Sequence, residues 1–183
     1  MHVDDELGAG DDKFKSEVWS KLDERMVVGT TDTDEVINYV GLRANHTGDC
    51  ITLDQQRYVE KMEMIPKEEL KKCTETGNNE EVVNEIGQSL FRSKVGALNW
   101  LATQTRPDVA FDVTEMSSCF KKATLKNLKD VNKYIKRLKS EEVYVKFPKL
   151  IGEPRTWKIL VYSDWAFANL PDGVSITHTS FSY

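Results

Sequence analysis

Three apolar stripes, one after another between positions 91 and 138, constrain this chain more than anything else in it. Phe91, Val95, Leu98 and Ala102 recur at intervals of three and four. So do Val109, Val113, Met116 and Phe120, and then Leu125, Leu128, Val131, Ile135 and Leu138. Side chains at those intervals share one face of an α-helix, and helices with one apolar face must bury it against a partner. The chain is therefore expected to have a three-helix middle. Pro107 suits the first position of the second helix, and Asp108 beside it favours the positive helix end. Lysines occupy the far side of the third.

The flanks read as β-structure with short helices. Met1-His2-Val3 and Leu7-Gly8-Ala9-Gly10 bracket a polar pair as a hairpin does. Asp11-Asp12 offers an N-cap, and Phe14, Val18, Trp19 and Leu22 fall on one helical face. Residues 36–42 read as a strand, 45–48 as a turn and 50–53 as a returning strand. Asp54 then caps a short helix, with Leu53 and Tyr58 placed as a hydrophobic staple. Residues 143–147 alternate, 157–162 are a strand, Pro171-Asp172-Gly173 is a turn, and 175–183 pair back weakly. The expected fold is α+β, in four parts: 1–65, a linker or mobile loop at 66–88, a helical region at 89–140, and a small β end at 141–183.

Composition excludes several classes. The chain has 183 residues and 39% hydrophobic content, enough for a packed core. No apolar run approaches the roughly 18 residues of a membrane span, and the polar, acidic start does not read as a secretory signal. A cytoplasmic or nuclear, non-secreted protein is expected. Cys50, Cys73 and Cys119 are scattered and odd in number, and His2, His46 and His178 are isolated, so neither a disulfide framework nor a zinc site is expected. The net charge of -5 argues mildly against a dedicated nucleic-acid binder. Residues 121–139, however, carry eight basic residues against one acid, Asp130.

Two adjacent carboxylates, Asp4 and Asp5, repel each other unless a cation lies beside them. Magnesium takes oxygen ligands and uses one or two carboxylates together with substrate phosphates. A solvated acidic turn accounts for the same pair. His2-Val3-Asp4-Asp5, with Leu7 and Gly10-Asp11-Asp12, resembles the Tyr-Val-Asp-Asp box of copia-type retrotransposon reverse transcriptases, His2 replacing the usual tyrosine. Asn38-Tyr39-Val40-Gly41-Leu42, Ile51-Thr52-Leu53-Asp54-Gln55 and Tyr58-Val59-Glu60-Lys61 resemble the segment after that family's palm. Phe91-Arg92-Ser93-Lys94-Val95-Gly96-Ala97-Leu98, Leu101-Ala102 and Thr105-Arg106-Pro107-Asp108-Val109-Ala110-Phe111 resemble its connection region. Tyr162-Ser163-Asp164 and Phe167-Ala168-Asn169-Leu170-Pro171-Asp172-Gly173 resemble the opening of its ribonuclease H domain. The resemblance runs in family order from His2 to about Ser175.

The resemblance implies a piece of a Pol polyprotein, an RNA-directed DNA polymerase with attached ribonuclease H. Asp4 and Asp5 would be two of three polymerase carboxylates, and Asp164 the first metal ligand of the ribonuclease H site, all three holding Mg2+ in the intact parent. Its partners would be an RNA template, a DNA primer and an RNA–DNA hybrid. The third polymerase carboxylate lies upstream in the family, and the further ribonuclease H acids do not follow Asp164. The expectation is that each active site is cut at one edge, that the chain alone is inactive, and that a protein partner covers the edges. A captured, non-catalytic binding remnant or a pseudogene product is the alternative.

Lys126, Lys129, Lys133, Lys136 and Arg137 face away from the apolar stripe of the third helix. Cations on one face suit phosphate contacts; a solvated helix face accounts for them equally. Arg106-Pro107-Asp108 reads as a structural turn, Trp100 and Trp157 as core residues, and Cys119 as a buried small hydrophobe.

Overall fold

The computed structural model describes residues 8, 10–25, 35–152, 160–164 and 178–182. The fold is α+β, as expected. The predicted hairpin at residues 1–10 and the Pro171-Asp172-Gly173 turn lie outside the described residues, apart from Gly8 and Gly10.

The first helical segment comprises α1 (Asp12–Phe14), a π turn (Lys15–Trp19) and α2 (Ser20–Arg25). Asp11 caps it, its Oδ1 accepting from the Phe14 amide at 2.8 Å. An antiparallel meander follows: β1 (Val36–Tyr39), β2 (Leu42–Thr47) and β3 (Cys50–Asp54). The run 36–42, read as one strand, is folded at Val40-Gly41, where φ is 48° and 79°. Tyr39 pairs with Leu42 across this two-residue loop. Both turn positions need positive φ, which a β-branched valine adopts only under strain. Val40 thus hides the turn in an apolar run, and Gly41 is its sole sequence cue.

Next come α3 (Gln56–Lys61) and α4 (Lys67–Lys72), then the three long helices in the predicted order: α5 (Glu85–Gln104), α6 (Ala110–Ser118) and α7 (Leu125–Lys139). Pro107 opens a single 3-10 turn before α6. Phe91, Val95, Leu98, Val109, Val113, Leu128, Val131, Ile135 and Leu138 are buried in one core, as their spacing predicts. Met116 and Phe120 pack at its edge, Phe120 edge-on to Phe91 with ring centroids 5.9 Å apart. Cys119 is half-buried there. Trp100 is 38% exposed and is not a core residue. It lies between Leu98 and Leu101 in sequence but on the opposite face of α5.

The segment 66–88 is not a free linker. Besides α4, it places Cys73 and Val83 in the core, continuing from Met62 and Ile65. Its backbone is tied to α7 and the approach to it: the Val83 amide donates to the Ala123 carbonyl, and the Leu125 and Lys126 amides donate to the carbonyls of Glu81 and Asn79. Cys73 and Val83 are buried and Leu70 packs against the core, while Val82 and Ile86 stay exposed, a division that composition alone does not show.

The strand β4 (Val145–Pro148) also departs from expectation. Its sequence position groups it with the C-terminal part at 141–183, but it pairs with β3, giving sheet order β1-β2-β3-β4. The last strands, β5 (Leu160–Asp164) and β6 (His178–Ser182), form a separate antiparallel pair. At the junction of sheet and helices, the Thr105 hydroxyl at the end of α5 donates to Gln55 Oε1 at 2.9 Å, both residues being buried.

Candidate nucleic-acid interface

The geometry of α7 begins with its cap. Thr124 Oγ1 accepts from the Asn127 amide, and Asn127 Oδ1 accepts from the Thr124 amide at 2.8 Å, a reciprocal pair that fixes the first turn. From there Leu125, Leu128, Val131, Tyr134, Ile135 and Leu138 are buried. The lysines are forced outward by the same periodicity. Lys136, Arg137 and Lys139 lie in the last turn, where the helix dipole favours positive charge.

The five predicted cations do not stand in equal states. Lys126 and Lys136 are exposed, with no side-chain partner among the described residues. Lys129 Nζ donates to Asn79 Oδ1 at 2.7 Å, and Lys133 Nζ to Asp130 at 2.8 Å. Arg137 is held on three sides: 4.3 Å over the Tyr134 ring, 3.5 Å from Asp112 and 3.7 Å from Glu141. Lys126, Lys129, Lys133 and Lys136 share one flank of the helix, and Arg137 belongs to the packing of α7 on α6.

That packing is completed by Arg106, which is 3% exposed. Its guanidinium grips both oxygens of Asp108 and reaches Glu141 at 2.8 Å. The hydrogen bonds from Arg106 hold the Asp108 carboxyl below its ordinary range, against the opposing effect of burial. Burial pushes the Tyr134 phenol up, and its 2.8 Å bond to Asp112 adds to this. The Arg106-Pro107-Asp108 segment is structural, as read from the sequence.

Two clefts meeting at Tyr58 and Lys61 were not foreseen. One, about 240 Å³, is lined by Asn38, Arg43, Asp54, Gln55 and Arg57. The other, about 250 Å³, is bounded by Met62, Ser93, Lys94 and Ile135. Arg43 pairs with Asp54 at 2.8 Å, Arg57 donates to Asn38, and Lys94 Nζ donates to the Glu63 carbonyl. Their cations come from β2, α3 and α5, so no local run in the sequence signals the cluster.

Asp4 and Asp5 lie outside the described residues. Asp164 ends β5, opposite His178 of β6. Among the described residues there is no group of three His, Cys, Asp or Glu side chains able to hold a metal ion. No helix among the described residues is long and apolar enough to cross a membrane. Compared with known protein families, curated proteins and solved structures, the chain matches none.

Proposed function

We propose that this chain is a segment of a copia-type retrotransposon Pol polyprotein, and that its helical middle contacts the phosphate backbone of nucleic acid through α7. What supports the first statement is the order of motifs, from His2-Val3-Asp4-Asp5 through Thr105-Arg106-Pro107-Asp108 to Tyr162-Ser163-Asp164. What supports the second is the flank of α7 on which Lys126, Lys129, Lys133 and Lys136 are presented by a capped helix with a fully used apolar face. Backbone contact of this kind is sequence-independent and weakens with salt. Polymerase and ribonuclease H chemistry, with Mg2+ held by Asp4, Asp5 and Asp164, belongs to a longer protein in this reading. The chain alone is expected not to extend a primer.

A non-catalytic binding module is the second reading, favoured by a helical body whose buried core is drawn from residues 59–138. Primer extension on an RNA template in magnesium separates the two from a self-sufficient polymerase: incorporation by the purified chain would refute inactivity. Filter binding to an RNA–DNA hybrid across a salt series tests the interface. Lys126→Gln with Lys136→Gln should lower the salt slope by about one for each lysine that touches a phosphate. Absence of binding at about 50 mM salt would remove α7 as a nucleic-acid surface.

A further inference from the structure

We infer that the cleft between the four-stranded sheet and α3 binds a phosphate group. Three strands and one helix assemble it. Asn38 of β1 lies opposite Arg43 of β2, and Arg43 lies opposite Asp54 of β3, so the three stand in one row across the sheet. Gln55 follows directly, and α3 brings Arg57, Tyr58 and Lys61 to the same cleft.

Its charges do not balance. Arg43, Arg57 and Lys61 line it against a single acid, Asp54. Both Asp54 oxygens are already taken, Oδ2 by Arg43 Nε at 2.8 Å and Oδ1 by the Gln56 amide at 3.0 Å. Arg57 uses one nitrogen on a neutral partner, Asn38 Oδ1, at 3.2 Å. Lys61 is exposed and has no side-chain partner among the described residues. Arg57 and Lys61 also stand four residues apart on α3, where like charges repel. An anion beside them turns that repulsion into attraction.

The second sign is a buried donor left over. Gln55 is 2% exposed and lines the same cleft. Its Oε1 accepts from the Thr105 hydroxyl, but its Nε2 has no partner among the described residues. A buried N–H without an acceptor is costly, and native proteins leave few. The cations of the cleft carry donors only. A bound oxyanion supplies the acceptor that they do not. Two guanidinium groups, an ammonium and an amide offer more donors than the two oxygens of a carboxylate meet well. A phosphate, with three acceptor oxygens and a geometry that the guanidinium fork matches, suits them better. At about 240 Å³ the cleft is smaller than the roughly 300–1,000 Å³ of pockets for drug-sized ligands, and fits a small anion. Neither observation involves α7, so the cleft and the α7 flank are separable by mutation.

The experiment is an NMR titration of the full chain with inorganic phosphate, against sodium chloride at matched ionic strength. Phosphate should move the Arg43 and Arg57 Nε–H signals and the Gln55 side-chain amide signals along one saturating curve, while chloride leaves them in place. Arg57→Gln with Lys61→Gln, both at exposed positions, should weaken binding about ten-fold or more. Lys126→Gln with Lys136→Gln should leave it unchanged. Shifts that never saturate, that chloride reproduces, or that persist in Arg57→Gln with Lys61→Gln overturn the site. Slow amide exchange in α5 and α7 reports that each variant is folded. A mononucleotide and a single-stranded oligonucleotide then identify the source of the phosphate. Equal affinity for the two assigns the cleft to a free phosphate ligand. Tighter, steeply salt-dependent binding of the oligonucleotide, weakened by the same double substitution, assigns it to a strand.

Discussion

Asn132, in the middle of α7, holds both backbone groups of Ile65: its Oδ1 accepts from the Ile65 amide at 2.7 Å and its Nδ2 donates to the Ile65 carbonyl at 2.8 Å. The side chain imitates a neighbouring strand for one residue, and so fastens the chain between α3 and α4 to the core helix. Asn132→Ala leaves two half-buried polar groups without partners. It should cost about 2–3 kcal/mol, read as a lower urea midpoint at unchanged slope. Asn132→Asp keeps the acceptor but loses the donor, and should fall between.

Gly87, in the first turn of α5, is required by close approach. A β-carbon there would lie 2.5 Å from Val83 Cβ and 3.0 Å from Cys73 Cβ. Alanine improves helix propensity by up to about 1 kcal/mol, but a Cβ–Cβ clash cannot be relieved by rotating a side chain. Gly87→Ala is expected to destabilise by about 1–2 kcal/mol net. Val83→Gly in the same chain removes the Cβ that alanine would keep and should recover part of that loss, a sign opposite to its effect alone; thermal unfolding of the four proteins measures it.

Arg106 is buried while its partners are about half exposed. Asp108→Asn or Glu141→Gln each leaves one carboxylate in place and should cost about 1 kcal/mol or less. The double substitution strands a buried guanidinium, and its cost, about 3 kcal/mol or more, should exceed the sum of the singles. A double-mutant cycle in urea decides. The Asp108 carboxyl sits below its ordinary value, so its contribution is present above the unfolded pKa of about 3.9 and lost as pH falls through the folded value. The urea midpoint should drop below about pH 4, less steeply in Asp108→Asn.

Tyr134 works in the other direction. Its phenol is raised, first by burial and then by its bond to Asp112. The protonated form is the one the fold favours, so the contribution is intact below the ordinary phenol value of about 10 and is lost as pH rises above it. Phenolate absorbance should show this tyrosine ionising after the exposed ones, with stability declining over the same range. Tyr134→Phe should flatten that decline. Ionisation of Tyr134 together with the exposed tyrosines would contradict the geometry.

The helical middle was legible because burial of a helix has a period, and the stripes at 91–102, 109–120 and 125–138 carry it directly. The same periodicity announced the cationic flank of α7, since residues excluded from the core must point outward. Local chemistry was legible too, where it acts over three or four residues: Asp11 as a cap, and Arg106 with Asp108 as a turn. Trp100 was misread because residue type was weighed above its place on the helix. Which of the five cations are already engaged depends on Asn79, Asp112 and Glu141, which lie from a few residues to fifty away in sequence.

Sequence by itself determined the elements whose energetics are local: the three long helices and their solvent face. Only the tertiary structure decided the pairing of β4 with β3, across ninety residues and more, the capture of 66–88 by the core, and the clefts around Tyr58. A strand's own residues fix its alternation but not its neighbour. A segment with two buried side chains, Cys73 and Val83, looks like a linker until the surface that receives them exists. Those choices rest on long-range burial and hydrogen bonding, which no window of sequence contains.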